Sequence, residues 1–215
     1  RSRQPPTTSG RTRMTLSRGP RTARQVDLLD RLVELMAAEG FSQFTLDDLA
    51  ERLRCSKTTL YALAPTKQQL VVEVVKQYFR SAVVTVEARV AAVKEPPARV
   101  VAYLDAVAEY LQPLSRSFMD DLSAFAPAAE VYRQNTAAAA ERIRGLIAEG
   151  VDTGAFRPVH AAFVAEIVAV AMFEIQRGEM FARLEMSDAE AYAELASLVV
   201  HALSAKTHSL SSAEH

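Results

Sequence analysis

Apolar residues in this chain recur at three- and four-residue intervals and do not alternate one by one, a rhythm that predicts helices rather than strands. From Gln25 the pattern turns helical, with Val26, Leu29, Leu32, Val33 and Met36 on one face and Gly40 standing where the helix should end. Leu46, Leu49, Ala50 and Leu53 form the next stripe, on a helix of about two turns. After a break at Arg54–Cys55, Ser56 is a good N-cap for a third short helix, "KTTLYAL", which Pro65 stops. The pattern then runs without a breaker from Lys67 to about Val93. Beyond "KEPPAR", residues 97–111 carry Val100, Val101, Leu104, Val107, Ala108 and Leu111 on one side. Pro113 and Pro127 bracket a shorter helix, and a longer one follows to about Ala148. "EGVDTGAFRP" reads as a loop with Pro158 at the first helical position of "VHAAFVAEIVAVAMFEIQ", which is apolar nearly all round. The last helix carries Tyr192, Leu195, Ala196, Val199 and Leu203 on one face.

Start signals reinforce the pattern. Thr45 with Asp48, Thr66 with Gln69 and Ser187 with Glu190 have the spacing of a capping box, in which two side chains satisfy each other's free helix-end amides. With no strand pattern and no internal repeat, the expected fold is all-α, with about nine helices.

Composition adds bounds. The 215 residues are 49% hydrophobic and 24% charged, the balance of a globular protein with a proper core. No apolar run is long and charge-free enough to span a membrane. The opening "RSRQPPTTSGRTRM" lacks the apolar stretch of a secretory signal. A single cysteine, Cys55, excludes an intramolecular disulfide and suits a reducing compartment, so a cytoplasmic location is expected.

The net charge of −1 hides an asymmetry. Seven of the 25 Lys and Arg residues lie in residues 1–24, which hold no Asp or Glu, leaving 18 basic against 26 acidic residues in the rest. A basic arm on an acidic body points to a polyanion meeting one end only. Composition alone fits a solvated tail equally well. Residues 1–20 are expected to be disordered in isolation.

Two short helices joined by a tight turn and braced by a longer one make a helix-turn-helix. The third helix needs few inward residues, Leu60 and Leu63, and its remaining positions carry donors. Lys57 can donate to guanine or phosphate, Thr58 can bond a base or set its methyl against thymine, Thr59 can bond a phosphate, and Tyr61 presents a hydroxyl. The N-cap of the second helix, Thr45, and the start of the fourth offer amide groups to a phosphate, Lys67 adds charge at the latter, and Ser56 is a further DNA-binding candidate. These donors are explained if the helix enters a major groove. The periodicity alone also fits a plain surface helix.

The stretch "FTLDDLAERLRCSKTTLYALAPTKQQL", with "AAEGF" before it and an unbroken fourth helix after it, closely resembles the DNA-binding region of the TetR family of bacterial transcriptional regulators. The resemblance is specific from Arg24 to Leu70, and elsewhere rests on length, helix count and the "EGVDTGAF" loop. It implies that Lys57 and Thr58 read bases, that Tyr61 touches backbone or base, and that Thr45 and Lys67 contact phosphates. Two departures stand out: Arg54 where the turn usually has Gly, and "ALAP" where an aromatic or His and a Phe are common. An arm before a helix-turn-helix can lie in the minor groove, with Arg18, Arg21 and Arg24 the nearest candidates.

The resemblance also implies a helical effector-binding and dimerisation region, a homodimer held by the last two helices, a double-stranded palindromic operator and a small apolar or amphipathic effector. The implied division is a basic arm at 1–20, the helix-turn-helix domain at 21–66, the effector and dimer region at 67–207, and a flexible tail at 208–215. Candidate ligand contacts are Tyr103, Tyr110, Phe118, Met119, Phe125 and Phe173. Small residues Ala165, Ala169, Ala196 and Ala202 would permit close approach of the partner. The expected function is a ligand-responsive repressor. The other reading is a helical dimer that binds a small molecule or a protein without reading DNA sequence.

No catalytic, phosphate-binding or metal-binding signature is present, so no enzyme, cofactor or metal is expected. His160 reads as a helix-end residue, and Cys55 as a small buried residue rather than a redox switch.

Overall fold

The structure is a computed structural model and describes residues 21–178, 183, 184 and 186–203. The arm, the tail and Arg18 lie outside the described residues. Among the described residues the chain forms nine helices and no strand. In chain order they are α1 (Ala23–Glu39), α2 (Leu46–Arg52), α3 (Lys57–Leu63), α4 (Lys67–Ala91), α5 (Pro96–Leu111), α6 (Arg116–Ala124), α7 (Ala126–Asp152), α8 (Ala161–Arg177) and α9 (Asp188–Leu203).

The caps explain most starts. Thr45 and Asp48 form the expected box, as do Ser187 and Glu190. Ser56 accepts the Thr59 N–H at 3.2 Å, and Thr66 accepts that of Gln69 at 3.2 Å. A box that the sequence reading missed, Thr22 with Gln25, starts α1 two residues before the expected Gln25. Gly40, at φ +81°, ends α1 in a conformation that favours glycine.

Three expectations need correction. The helix expected to end near Ala148 runs to Asp152, because Gly150 is helical and Gly154, at φ +73°, makes the turn. Gly150 is glycine for close packing: a Cβ there would run into the Phe156 ring. Pro158 does not begin α8; its N-cap is His160, whose Nδ1 accepts the Phe163 N–H at 3.2 Å. On α1, Leu29, Leu32 and Met36 are buried as expected, but Val26 is exposed and Leu28 takes a core position.

The buried residues form two clusters. One gathers α1, α2, α3 and the first half of α4, and reaches Phe118, Met119 and Leu122 on α6 and Tyr132 on α7. The other joins the second half of α4 with α5, α7, α8 and α9. Helix α4 spans both, which puts a single stiff element between them. α8 is not enclosed on all sides: Ala165, Val168, Met172 and Ile175 are buried, while Phe163, Ile167 and Val170 are 64%, 54% and 58% exposed. Ala165, Ala169 and Ala196 face the chain's own core, so they cannot be the small residues that admit a partner.

Candidate nucleic-acid interface and ligand cavity

The turn between α2 and α3 is built on Arg54, whose φ of 52° is left-handed. Its N–H bonds the Glu51 carbonyl (3.1 Å), and the Cys55 N–H bonds the Ala50 carbonyl (2.9 Å), the pair of bonds of a Schellman motif. Arg31 donates to the Leu53 carbonyl at 2.9 Å and braces the turn from α1. Arg54 therefore adopts the conformation that glycine would take, and the turn is kept. Burial pushes the Cys55 thiol up, against the pull of Arg31 and Arg24, which favours the unreactive protonated form.

From that turn α3 directs Leu60 and Leu63 inward, at 0% and 1% exposure. Ser56, Lys57, Thr58 and Tyr61 are exposed on the outer side, and Thr59 is half-buried with its hydroxyl 2.8 Å from that of Ser56. Lys57 Nζ lies 2.5 Å from Asp47 Oδ1 on α2, a bond that pushes the lysine pKa up and holds the ammonium charged. Thr45 is exposed beside Asp48, whose carboxyl is held below its usual range by the Thr45 N–H and hydroxyl. Lys67 Nζ donates to the Ser42 carbonyl at 2.9 Å. Arg24 is exposed, whereas Arg21 pairs with Glu73 of α4 at 2.5 Å.

A second feature lies in the other half. Helices α4, α5, α7, α8 and α9 surround a cavity of about 140 Å³. Its wall is mainly aromatic and aliphatic, with Phe79, Tyr103, Tyr110, Tyr132 and Tyr192 the large rings. Burial and the neighbouring Glu87 push the Tyr103 phenol up to about 12, so it is a neutral donor at ordinary pH. One charged pair lines the wall: Arg142 of α7 grips Glu87 of α4 through Nε and Nη2, both at 2.8 Å. Tyr110 also exchanges hydroxyl-to-carbonyl hydrogen bonds with Tyr78, tying the cavity wall to α4.

Residues 28–74 match the sequence profile described as bacterial regulatory proteins, tetR family. Residues 28–74 are thus similar to the DNA-binding region of that family. Solved structures share the fold along nearly their whole length. A TetR transcription regulator from Haloarcula marismortui is 17% identical, with a TM-score of 0.70 over 85% of this chain and 98% of that one. A putative transcriptional regulator from Saccharomonospora viridis in complex with choline is 15% identical, with a TM-score of 0.69 over 85% and 98%. A transcriptional regulator from Cytophaga hutchinsonii is 18% identical, with a TM-score of 0.64 over 84% and 99%. No curated protein sequence matches the chain.

The DNA-facing candidates Thr45, Ser56, Lys57, Thr58, Thr59, Tyr61 and Lys67 lie on α3, at the caps of α2 and α3 and at the start of α4, whereas the ligand candidates do not share one site. Tyr103 and Tyr110 line the cavity. Phe118 is buried in the other cluster, edge-on to Phe41 at 5.8 Å. Met119 borders a separate groove near Arg177, and Phe125 borders a cleft with Phe41, Lys67 and Asp121. Phe173 is half-buried on α8 beside Met172, which does line the cavity. The sequence reading missed Phe79, Glu87, Arg142 and Tyr192. Glu87 and Arg142 are 55 residues apart, and nothing local links them; an ionisable residue among the apolar positions of each helix was the available hint. Among the described residues no helix is long and apolar enough to cross a membrane, and no cluster of potential metal ligands occurs.

Proposed function

We propose that this protein is a homodimeric repressor that holds a palindromic operator and leaves it when a small effector enters the cavity. The observation that carries the reading is the division of α3: two leucines turned in, and Ser56, Lys57, Thr58 and Tyr61 turned out beside the capped Thr45. In this reading Lys57 and Thr58 meet base edges, Tyr61 meets a base or the backbone, and Ser56, Thr59, Thr45 and Lys67 meet phosphates. Arg24 enters the adjacent minor groove, followed by Arg18, while Arg21 must first release Glu73. The protein works in the cytoplasm, without a cofactor.

The open apolar face of α8, with Leu198 of α9 67% exposed, supports a two-fold mate packed on these helices. Two recognition helices then lie about one DNA turn apart, roughly 34–36 Å. The effector acts by favouring a conformer in which that spacing is wrong, with α4 as the lever between the two halves. Tyr103 and Tyr110 are the retained ligand contacts from the sequence reading. Two departures, Arg54 and "ALAP", support a dimer that ignores DNA sequence; the left-handed turn absorbs the first.

Gel-shift with the DNA flanking the protein's own gene tests the reading. The pair Lys57→Ala and Tyr61→Phe should weaken binding by tenfold or more, with dimerisation intact. Unchanged operator binding overturns it.

A further inference from the structure

The cavity that the proposed function gives to the effector is small, ring-walled and neutral, and its one pair of charges is already joined. Its volume of about 140 Å³ is close to the ~150 Å³ that suffices for benzene in an apolar cavity. An extended chain or a fused multi-ring compound does not fit without repacking. Phe79, Tyr103, Tyr132 and Tyr192 line the cavity, so a ring entering it packs against aromatic side chains.

The charges decide the rest. Glu87 and Arg142 cancel each other, and their side chains are 41% and 35% exposed. An anion entering the cavity gains Arg142 but meets Glu87; a cation gains Glu87 but meets Arg142. Either loses hydration without an uncompensated counter-charge to replace it. An uncharged oxygen acceptor does better. The grip on Glu87 uses Nε and Nη2 of Arg142 and leaves the Nη1 N–H groups outside that pair. A guanidinium N–H can therefore donate to a carbonyl or hydroxyl oxygen without breaking the ion pair.

We propose that the cavity takes a compact, uncharged ring compound bearing one oxygen acceptor, and that the Glu87–Arg142 pair excludes ring compounds carrying a net charge. The inference rests on the cavity being a ligand site.

Calorimetric titration of the full chain, without DNA, with acetophenone, benzoate and phenyltrimethylammonium tests it, since each carries one benzene ring and the three are neutral, anionic and cationic. The unaltered protein should bind acetophenone about tenfold or more tighter than either ion. Glu87→Gln frees the Arg142 charge, so benzoate should gain about tenfold. Arg142→Gln frees Glu87, so phenyltrimethylammonium should gain instead. A preference for either ion in the unaltered protein overturns the proposal, as does an order of binding that both substitutions leave unchanged or the failure of all three compounds to bind. If either variant fails to fold, the ranking in the unaltered protein still decides. Acetophenone binding with no effect on operator affinity would count against the effector reading and leave the ligand class standing.

Discussion

Asp121 of α6 accepts the main-chain N–H of Phe41, 80 residues earlier, at 2.6 Å. The same oxygen accepts the Ser42 N–H at 2.8 Å, and a Cβ on Gly40 would lie 2.7 Å from it. The Ser115 N–H adds a bond to the Ala37 carbonyl at 2.8 Å. The segment joining α1 to α2 is thus clasped by α6, which leaves the helix-turn-helix anchored by more than α4. Asp121→Ala should cost about 2 kcal/mol, because it strands two amide donors, and Asp121→Asn should cost less. Denaturant unfolding checks both.

The same carboxylate makes stability acid-sensitive. Burial raises its pKa, but the hydrogen bonds from Ser42 and Phe41 outweigh burial and hold it below the usual range. A depressed folded pKa stabilises above the unfolded value, about 3.9, and that stabilisation is lost as pH falls through the folded value. The melting temperature of the native protein should therefore drop below about pH 4 more steeply than that of Asp121→Asn.

Arg54→Gly should raise stability by about 0.5–1 kcal/mol. The left-handed backbone at φ 52° costs an L-residue about 1–2 kcal/mol, and part of the relief is offset by the freedom glycine has when unfolded. A lower melting temperature for the variant would show that the Arg54 side chain contributes more than its backbone costs.

Two glycines of α7 should respond oppositely to alanine. Nothing lies within 4 Å of a Cβ at Gly145, so Gly145→Ala should stabilise by roughly 0.5–1 kcal/mol through helix propensity. At Gly150 the added methyl meets the Phe156 ring, and Gly150→Ala should destabilise by about 1–3 kcal/mol despite the better propensity. Thermal melts of the two variants separate the effects.

Charge placed on the open face of α8 should dissociate the proposed dimer. Ile167 and Val170 are more than half exposed in the single chain, so Ile167→Asp with Val170→Asp should leave the fold intact. Sedimentation should then show monomers with native helicity. A dimer that survives both changes places its interface elsewhere.

The all-α fold, the helix-turn-helix and the N-caps Thr45, Ser56, Thr66 and Ser187 were legible in the sequence. Each depends on residues three or four apart, and such short-range pairing is encoded in the order of residues alone. Legibility failed where a local rule met a distant neighbour. Gly150 reads as a breaker until Phe156 is folded against it, and Arg54 reads as a misfit until the Schellman bonds close around it. The aromatic candidates show the same limit. Tyr103 and Phe118 look alike along the chain, yet one lines the cavity and the other fills the core beneath α1.

By itself, then, the sequence determined which segments are helices, where most of them start, and that α3 carries hydrogen-bond donors. Tertiary structure alone decided that Glu87 faces Arg142, that Asp121 reaches Phe41, and that α8 keeps one apolar face open. The reason is physical. Helix periodicity orients a side chain about its own axis, but which helix lies opposite is settled only when all the apolar faces are packed at once.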